Sequence, residues 1–361
     1  MATEISDHTV IVGAGIVGVS TAIWLLRAGK SVTLIDRQDP GEGASFGNAG
    51  ILASCSVAPV TAPGMILKAP KMLMDPDFPL FLRWSYLPKL TPWLIKYLGH
   101  ANAKDTIRIS EGLAPLTADS VEQHASLAGN TDAAEWVKTT DYSFAYPDKA
   151  AFEADSFAWA LRKNAGFEPD LLEGEAVHEA EPLLGKHINL LAVMRDHGFV
   201  RSPGEYVKAL SREVLKLGGK LLKTDVKDIE LTDDKVTAVL TDQGRVDCTS
   251  LVLATGAWSK ALSDKLNISI PLETERGYHI EFEPEEKKLK APVMVTAGKF
   301  VATPMAGGLR CAGVVEFGGA GGIIKEDLND AVAEFATGDL IRLFDEGDSE
   351  VVLDDGGHLL E

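Results

Sequence analysis

Residues 10–18 read VIVGAGIVG, and this glycine pattern constrains the fold more than any other feature of the chain. Three β-branched residues open the segment and predict a short, buried parallel strand. After the G-x-G-x-x-G pattern, apolar residues recur at helical spacing until Gly29, which predicts the end of a helix. The next segment, SVTLID, predicts a second strand that ends in Asp36, 18 residues beyond Gly18. Together these elements predict a βαβ unit that binds a dinucleotide.

Each glycine of the pattern has a physical role in such a unit. Gly13 permits the tight turn, Gly15 lets the backbone approach a pyrophosphate, and Gly18 allows close contact between helix and strand. The free N–H groups and the partial positive charge of the helix N-terminus favour phosphates. Asp36 can accept hydrogen bonds from ribose hydroxyls and would repel a 2′-phosphate, which disfavours NADP. The unit does not distinguish NAD from FAD, and a glycine-rich turn in an ordinary βαβ unit is the alternative.

Three further segments resemble one family in order along the chain. The loop RQDPGEGASFGNAGILA follows Asp36 directly, KLLKTDVKDIEL predicts a later strand, and CTSLVLATGAWS predicts another. SFGNAG and ATGAWS are similar to the S-x-x-N-A-G-like and A-T-G-x-[WY]-S-like segments of FAD-dependent D-amino-acid dehydrogenases and their glycine oxidase and sarcosine oxidase relatives. A solvent-exposed Ω-loop is the alternative interpretation of the first loop.

The resemblance implies FAD as the cofactor. It places the pyrophosphate and flavin beside the SFGNAG loop, the adenine beside Val226, and the FAD phosphates near the ATGAWS segment. The cofactor-binding residues expected on these grounds are Gly13, Ala14, Gly15, Ile16, Val17, Gly18, Asp36, Arg37, Ser45, Asn48, Ala49, Gly50, Val226, Thr255 and Gly256.

The net charge of −18 argues against a nucleic-acid-binding protein, which needs cationic patches. Cysteines are few and far apart, and their odd number fits a reducing compartment better than a disulfide framework or a zinc site. The N-terminal residues lack the pattern of a signal peptide, and no apolar run is long enough to span a bilayer. We therefore expect a cytoplasmic protein. Trp84, Trp93 and Tyr97 fit either helices packed over an active site or a helix in peripheral contact with a membrane.

These segments predict an α/β fold with a Rossmann-like, parallel FAD-binding domain and an α+β substrate domain with a mixed or antiparallel sheet. The strands of the second sheet are predicted in IPLETERGYHIEF, PVMVTAGKFVATPM and GLRCAGVVEF, with a hairpin at MAGGLR. We expect residues 1–62 and 155–265 in the FAD-binding domain, residues 63–154 and 266–322 in the substrate domain, and residues 323–361 as a tail.

The resemblance implies oxidative deamination of D-amino acids or related amines. A hydride passes from the α-carbon to flavin N5, and the resulting imine hydrolyses to a keto acid and ammonia. An arginine fork or a tyrosine hydroxyl matches the substrate carboxylate best. Arg276 and Tyr278 lie two apart on one predicted strand face and are the candidates, with Arg310 and His279 as weaker ones. An ion pair with Glu273 or Glu275 is the alternative role of Arg276.

The C-terminal part departs from the family pattern. The resemblance covers roughly residues 8 to 320, and the family's G-x-R-P motif and final glycine–histidine–glycine loop are not found. From Ile323 onward there are 12 acidic residues and two basic ones, with a helix predicted around 326–344 and a strand at SEVVLDD, or else a solvated acidic tail. A catalytically impaired flavin-binding protein or partner subunit is therefore the alternative function. Oxygen, a quinone and a protein all stay open as the electron acceptor.

Overall fold

The computed structural model describes residues 7–65, 80–282 and 289–319. Within these ranges the helices are α1 (Ile16–Arg27), α2 (Leu87–Gly99), α3 (Ala103–Thr117), α4 (Ser120–Ala128), α5 (Lys149–Ala154), α6 (Ser156–Asn164), α7 (Glu175–Ala180), α8 (Pro203–Lys216) and α9 (Ser259–Lys265). The strands are β1 (His8–Val12), β2 (Ser31–Asp36), β3 (Ile51–Leu52), β4 (Leu80–Leu82), β5 (Val137–Tyr146), β6 (Asp170–Glu173), β7 (Leu190–Val200), β8 (Lys220–Lys223), β9 (Val226–Thr232), β10 (Lys235–Thr241), β11 (Gly244–Asp247), β12 (Ser250–Leu253), β13 (Arg276–Phe282), β14 (Val293–Val295), β15 (Phe300–Pro304) and β16 (Leu309–Phe317).

The predicted βαβ unit forms the centre of a four-stranded parallel sheet with the order β12–β1–β2–β8. Both faces of β1 are covered. Ile11 packs in a cluster with α1 and α8, whereas Val10 and Val12 pack with residues of β10 and α9. Coverage on both faces explains why the strand is a continuous apolar run rather than an alternating one.

Helices α1 and α8 pack against each other on one face of this sheet. Tyr206, Leu210 and Val214 form the buried face of α8 and lie in the same cluster as Val19 and Ile23 of α1, whereas Leu217 at the end of α8 is exposed. The helix N-terminus of α1 therefore has a fixed position at the carboxyl ends of β1 and β2.

The predicted single strand at residues 220–231 is wrong, because the chain forms two strands in different sheets. β8 continues the parallel sheet, whereas β9 is the edge of a three-stranded antiparallel sheet with the order β11–β10–β9. The Thr224 N–H donates to the Asp36 carbonyl at 2.8 Å, after which the chain leaves β2 and Val226 pairs with Thr241. This break puts residues 224–227 at the end of the parallel sheet.

A nine-stranded mixed sheet makes up the second half of the architecture. Its order is β13–β16–β15–β14–β5–β7–β3, with β4 beside β16 and β6 beside β7. The MAGGLR hairpin is confirmed as the turn between β15 and β16, which pair antiparallel. The predicted α/β class, with one parallel and one mixed sheet, is thus confirmed.

The pairing of strands bears on the expected domain division without fixing its boundaries. β6 and β7 lie within residues 155–265, which we expected in the FAD-binding domain, but they pair with each other and β7 pairs with β5 in the nine-stranded sheet. The division into domains therefore stays a prediction. The tail beyond residue 319, with its predicted helix and strand, lies outside the described residues.

Helix α2 carries Trp93 and Tyr97, for which the sequence left open packing within the protein or contact with a membrane surface. Trp93 stacks on Tyr97 with ring centroids 4.7 Å apart and approaches Phe317 of β16 at 5.8 Å, whereas Trp84 is largely exposed. Part of this helix thus packs on the end of the mixed sheet. In the described part of the chain, no helix combines the length and apolar character needed to cross a bilayer.

Candidate functional site

A cleft of about 740 Å³ lies where the strands β1, β2 and β12 of the parallel sheet end. Its volume is in the range of small-molecule sites, and its place at the carboxyl ends of parallel strands is where α/β sheets bind ligands. Its walls come from the β1–α1 turn, the end of β2, the loop after β2, the β8–β9 connection and the segment after β12. The lining comprises residues 12–17, 35–39, 41, 43–45, 48, 224–227, 253–259, 261, 262 and 265.

The β1–α1 turn brings backbone close to the cleft at its glycines. Gly13 has a φ of +109°, and a Cβ there would overlap the Ala254 carbonyl oxygen. A Cβ on Gly18 would in the same way overlap the Gly13 carbonyl, so this glycine permits the close packing of α1. A Cβ on Gly15 would meet only the Ser45 hydroxyl, at 3.2 Å. The space in front of Gly15 is therefore open to a ligand.

The N-terminus of α1 is suited to an anion. Its first turn has no acidic residue, and the extended Gly15 at the N-cap supplies no side chain to satisfy the free N–H groups. The Ile16 N–H donates to the Ser45 hydroxyl at 3.0 Å. The helix dipole adds partial positive charge at this end, so a pyrophosphate is favoured here.

Asp36 is fixed on the opposite wall by two backbone groups. Its carboxylate accepts hydrogen bonds from the Ala14 N–H at 2.6 Å and the Gln38 N–H at 2.9 Å. A carboxylate has room for further hydrogen bonds beyond these two. The ribose hydroxyls of a nucleotide are suitable donors, which fits the role expected of Asp36.

The far end of the cleft combines apolar and cationic groups. Val226 and Thr224 line it from the β8–β9 connection, and Lys227 and Lys265 stand beside them. On the other side, the segment after β12 brings Trp258 into the wall. The Arg37 guanidinium lies 4.5 Å from the centroid of the Trp258 ring, a cation–π distance.

A short loop, which we call the cofactor loop (residues 45–50), forms the remaining wall. It is ordered by its own asparagine: the Asn48 amide donates to the Ser45 carbonyl at 2.9 Å, and the Gly50 N–H donates to the Asn48 side chain at 2.7 Å. The Gly50 carbonyl in turn accepts from the Val200 N–H at 2.7 Å. The loop is therefore a fixed part of the structure rather than a solvent-exposed excursion.

Most of the residues predicted to bind the cofactor line this cleft. Among the described residues, the exceptions are Gly18, Ala49 and Gly50. Gly18 acts through helix packing, as its predicted role requires, and Gly50 borders a smaller cavity of about 160 Å³ behind the loop. Eighteen further lining residues were not among the predicted cofactor-binding residues. They include Thr224, Lys227, Trp258 and Lys265, of which Trp258 gave a signal in the sequence, inside ATGAWS.

The mixed sheet meets the cofactor loop through β13, β15 and β16. The Arg310 guanidinium is buried, pairs with Glu281, and donates to the carbonyls of Phe46 at 2.9 Å and Asn48 at 2.8 Å. These contacts occupy most of the guanidinium's donors and favour a structural role for Arg310, while its assignment as a substrate-carboxylate ligand stays a prediction. The signal in the sequence was an arginine in a strand, LRCAGVVEF, whose only other charged residue is Glu316.

The two predicted substrate residues share one buried partner. Tyr278 donates to the Glu316 carboxylate at 2.6 Å, and the Arg276 guanidinium lies 3.5 Å from the same carboxylate. Arg83 also pairs with Glu316, from the other side. Arg276 and Tyr278 thus lie on one face of β13, as predicted. In the described part of the chain, the contacts of Arg276 are to Glu316 rather than to the expected Glu273 or Glu275.

Burial shifts the pKa values of several groups packed in and around the mixed sheet. Desolvation and the adjacent Glu316 raise the pKa of Tyr278 to about 12, so its hydroxyl stays a donor at neutral pH. Burial lowers the pKa of His279, which lies against Gly47 of the cofactor loop, and the Arg310 charge lowers it further. Burial raises the pKa of the Cys55 thiol to about 11, which makes it an inert buried thiol rather than a nucleophile.

Comparison with known proteins adds a family match. A family model described as DAO, FAD dependent oxidoreductase, matches residues 8–355. The match extends past residue 320, where the sequence analysis expected the resemblance to end.

Curated relatives cover most of the chain. One from Bradyrhizobium diazoefficiens, named D-amino-acid oxidase, is 40% identical over 316 residues, which cover 86% of this chain and 75% of the relative. Another from Helicobacter pylori strain J99, named D-amino acid dehydrogenase, is 27% identical over 325 residues, 89% of this chain and 77% of the relative.

Solved structures show the same fold at lower identity. Glycine oxidase from Bacillus cereus superposes with a TM-score of 0.65 at 20% identity, covering 94% of this chain and 78% of that one. L-proline dehydrogenase from P. horikoshii gives a TM-score of 0.64 at 18% identity, with 92% and 76% covered. Because the names of these two enzymes specify different substrates, the shared fold does not select one among them.

Proposed function

The chain belongs to the DAO family of FAD-dependent oxidoreductases, and on that basis we propose that it catalyses the oxidative deamination of D-amino acids or closely related amines. FAD is the cofactor of this family, as the sequence resemblance implied. The substrate class rests on relatives whose names specify D-amino acids.

The cleft is the single observation that carries the proposal. A cradle in which a Cβ at Gly13 has no space, an open approach at Gly15, and a helix N-terminus free of acidic residues together suit a dinucleotide pyrophosphate. Asp36 would hold the ribose, Val226 would lie at the adenine, and the cofactor loop would hold the flavin end. When bound, the flavin supplies the hydride-accepting chemistry.

The protein's own contribution is to bind and orient the amine. We propose that Arg276 contacts the substrate carboxylate, since its side chain keeps 14% of its surface exposed while that of Glu316 is buried. Tyr278 would position this arginine through the shared Glu316 carboxylate. A substrate amine that binds in its neutral form needs no side-chain base, so orientation and exclusion of water are the main tasks.

The alternative of a catalytically impaired flavin-binding protein is not favoured. Its basis was the loss of resemblance beyond residue 320, whereas the family match continues to residue 355. The electron acceptor is open among oxygen, a quinone and a protein, since the relatives' names divide between oxidase and dehydrogenase. We place the protein in the cytoplasm as a proposal, in keeping with its three free, buried cysteines.

The visible spectrum of the purified protein tests the proposal. We expect flavin absorption that bleaches when D-alanine or D-proline is added without air, and no bleaching with L-alanine. Readmission of oxygen would restore the absorption promptly in an oxidase and slowly in a dehydrogenase. A yellow protein that no amine bleaches would support the impaired alternative, and a protein that cannot take up FAD would contradict both.

A further inference from the structure

We propose that Arg310 is a positioning residue for FAD: from the mixed sheet, it holds the backbone of the cofactor loop against the FAD cleft. This inference rests on the proposed function, because it assumes that the cleft binds FAD. It assigns to β16 a task in cofactor binding, although β16 lies in the sheet that the sequence analysis assigned to the substrate.

Arg310 connects the cofactor loop to β13 through four hydrogen bonds. Only 6% of its surface is exposed, and its Nη1 donates to two loop carbonyls, those of Phe46 at 2.9 Å and Asn48 at 2.8 Å. Its Nε and Nη2 donate to the Glu281 carboxylate of β13. The planar guanidinium thereby fixes two loop residues relative to β13, a geometry that a lysine ammonium cannot reproduce.

The rest of the loop backbone depends on the same sheet. The Thr303 hydroxyl of β15 donates to the Ala49 carbonyl at 2.9 Å, and the Val200 N–H of β7 donates to the Gly50 carbonyl at 2.7 Å. The mixed sheet therefore supplies donors to the carbonyls of residues 46, 48, 49 and 50. Burying these carbonyls without hydrogen-bond partners would be unfavourable, so the donors of the mixed sheet determine the position of the loop.

The cleft side of the loop shows what this position controls. Ser45 and Asn48 line the cleft, and the Ser45 hydroxyl accepts the hydrogen bond from the Ile16 N–H at the start of α1. A loop released from Arg310 would shift Ser45 away from that helix N-terminus and Asn48 away from the cleft wall. FAD would then bind more weakly, because Ser45 and Asn48 would be displaced from the cleft.

The test measures FAD binding directly. Apoprotein of the wild type, Arg310→Met, Arg310→Lys and Thr303→Val is titrated with FAD, following flavin fluorescence, and the visible circular dichroism of each complex is recorded. Arg195→Met is the control, since Arg195 lies in the same mixed sheet and pairs with the carboxylates of Asp141 and Asp170 rather than with the cofactor loop. Thermal melting of each apoprotein reports on folding separately.

For Arg310→Met we expect an FAD Kd raised by about tenfold to a hundredfold, because hydrogen bonds from a charged donor are lost. We expect a changed visible circular dichroism band of the bound flavin as well. Arg310→Lys should lie between this variant and the wild type, Thr303→Val should raise the Kd by about two- to tenfold, and Arg195→Met should leave it within about twofold.

A merely structural arginine would lower the apoprotein melting temperature and leave the Kd and dichroism of the folded protein unchanged, which would overturn the inference while the proposed function stands. If Arg310→Met does not fold, unchanged binding in both Arg310→Lys and Thr303→Val overturns it equally. A wild-type protein that binds no FAD would overturn the inference and the proposed function together.

Discussion

The FAD cleft and the Glu316 cluster of the mixed sheet are built in opposite ways. The phosphate end of the cleft is made mainly of backbone: glycines, N–H groups at a helix start, and one carboxylate held by the Ala14 and Gln38 N–H groups. The cluster is made of side chains, with Arg83, Arg276 and Tyr278 around one buried carboxylate. Backbone sites depend on local chain geometry, whereas side-chain sites depend on long-range packing. Substitutions in the two regions should therefore have separable effects.

The largest effect on FAD affinity is expected from Gly13→Ala, which disturbs the backbone geometry of the cleft. The new Cβ meets the Ala254 carbonyl and also requires a φ of +109°, so strain and overlap together cost about 3 kcal/mol or more. We expect FAD affinity to fall more than about a hundredfold. Titration of the apoprotein with FAD measures it.

Gly29→Ala is the control for this substitution, because Gly29 also has a positive φ, of +78°, but open space around it. It should cost only about 1–2 kcal/mol of stability and leave FAD affinity near that of the wild type. Equal losses in the two variants would mean that the close approach to Ala254 does not matter.

Arg276→Met tests the side-chain region. With the proposed carboxylate contact removed, we expect the KM for a D-amino acid to rise about tenfold to a hundredfold, while the FAD Kd stays the same. Steady-state kinetics and FAD titration on one preparation provide both numbers. A raised Kd with an unchanged KM would place Arg276 on the cofactor side and remove the contrast between the regions.

Asp36→Asn makes a smaller change within the cleft. The amide keeps the shape of the side chain but loses the charge that strengthens hydrogen bonds from ribose hydroxyls. Its NH2 group also replaces one of the two oxygens that accept from the Ala14 and Gln38 N–H groups, so FAD binding should weaken by about tenfold. The KM for the amino acid at saturating FAD should not change. The fluorescence titration measures the FAD Kd and the kinetic assay measures the KM. An unchanged Kd or a raised KM would contradict the prediction.

The smallest effect concerns His197, which lies buried in the mixed sheet away from both regions. It accepts a hydrogen bond from the Cys55 N–H at 3.1 Å while its Nδ1 faces the Arg195 carbonyl at 2.8 Å, an arrangement that suits the neutral ring. Burial lowers its pKa below the ordinary value of 6.5. Below about pH 6.5 the unfolded chain therefore binds a proton that the folded protein resists, and stability falls as the pH falls.

We expect His197→Gln to reduce this loss, seen as a smaller drop in melting temperature between pH 7.5 and pH 5.5. Burial also lowers the pKa of His8, His124 and His279, so part of the slope should persist. The exposed His187→Gln should behave like the wild type. An identical pH slope in both variants would show that His197 does not contribute.

The parts of the structure that the sequence predicted well are those encoded locally. The glycine spacing, the helical periodicity of α1 and the turn between β15 and β16 all lie within short segments. The break between β8 and β9 was missed because it depends on a hydrogen bond from Thr224 to Asp36, far apart in the chain. The role of Arg310 was missed for the same reason, since Phe46 and Asn48 are 264 and 262 residues away.

That separation has a consequence for biosynthesis. The βαβ unit is complete within about the first forty residues of the nascent chain. The hydrogen bonds from Arg310 to the cofactor loop, in contrast, come from a strand that is translated much later. Because contacts so distant in sequence form late, we expect tight capture of the prosthetic group only after translation has passed residue 310. Ribosome-bound intermediates that stop short of β16 should accordingly hold the flavin weakly.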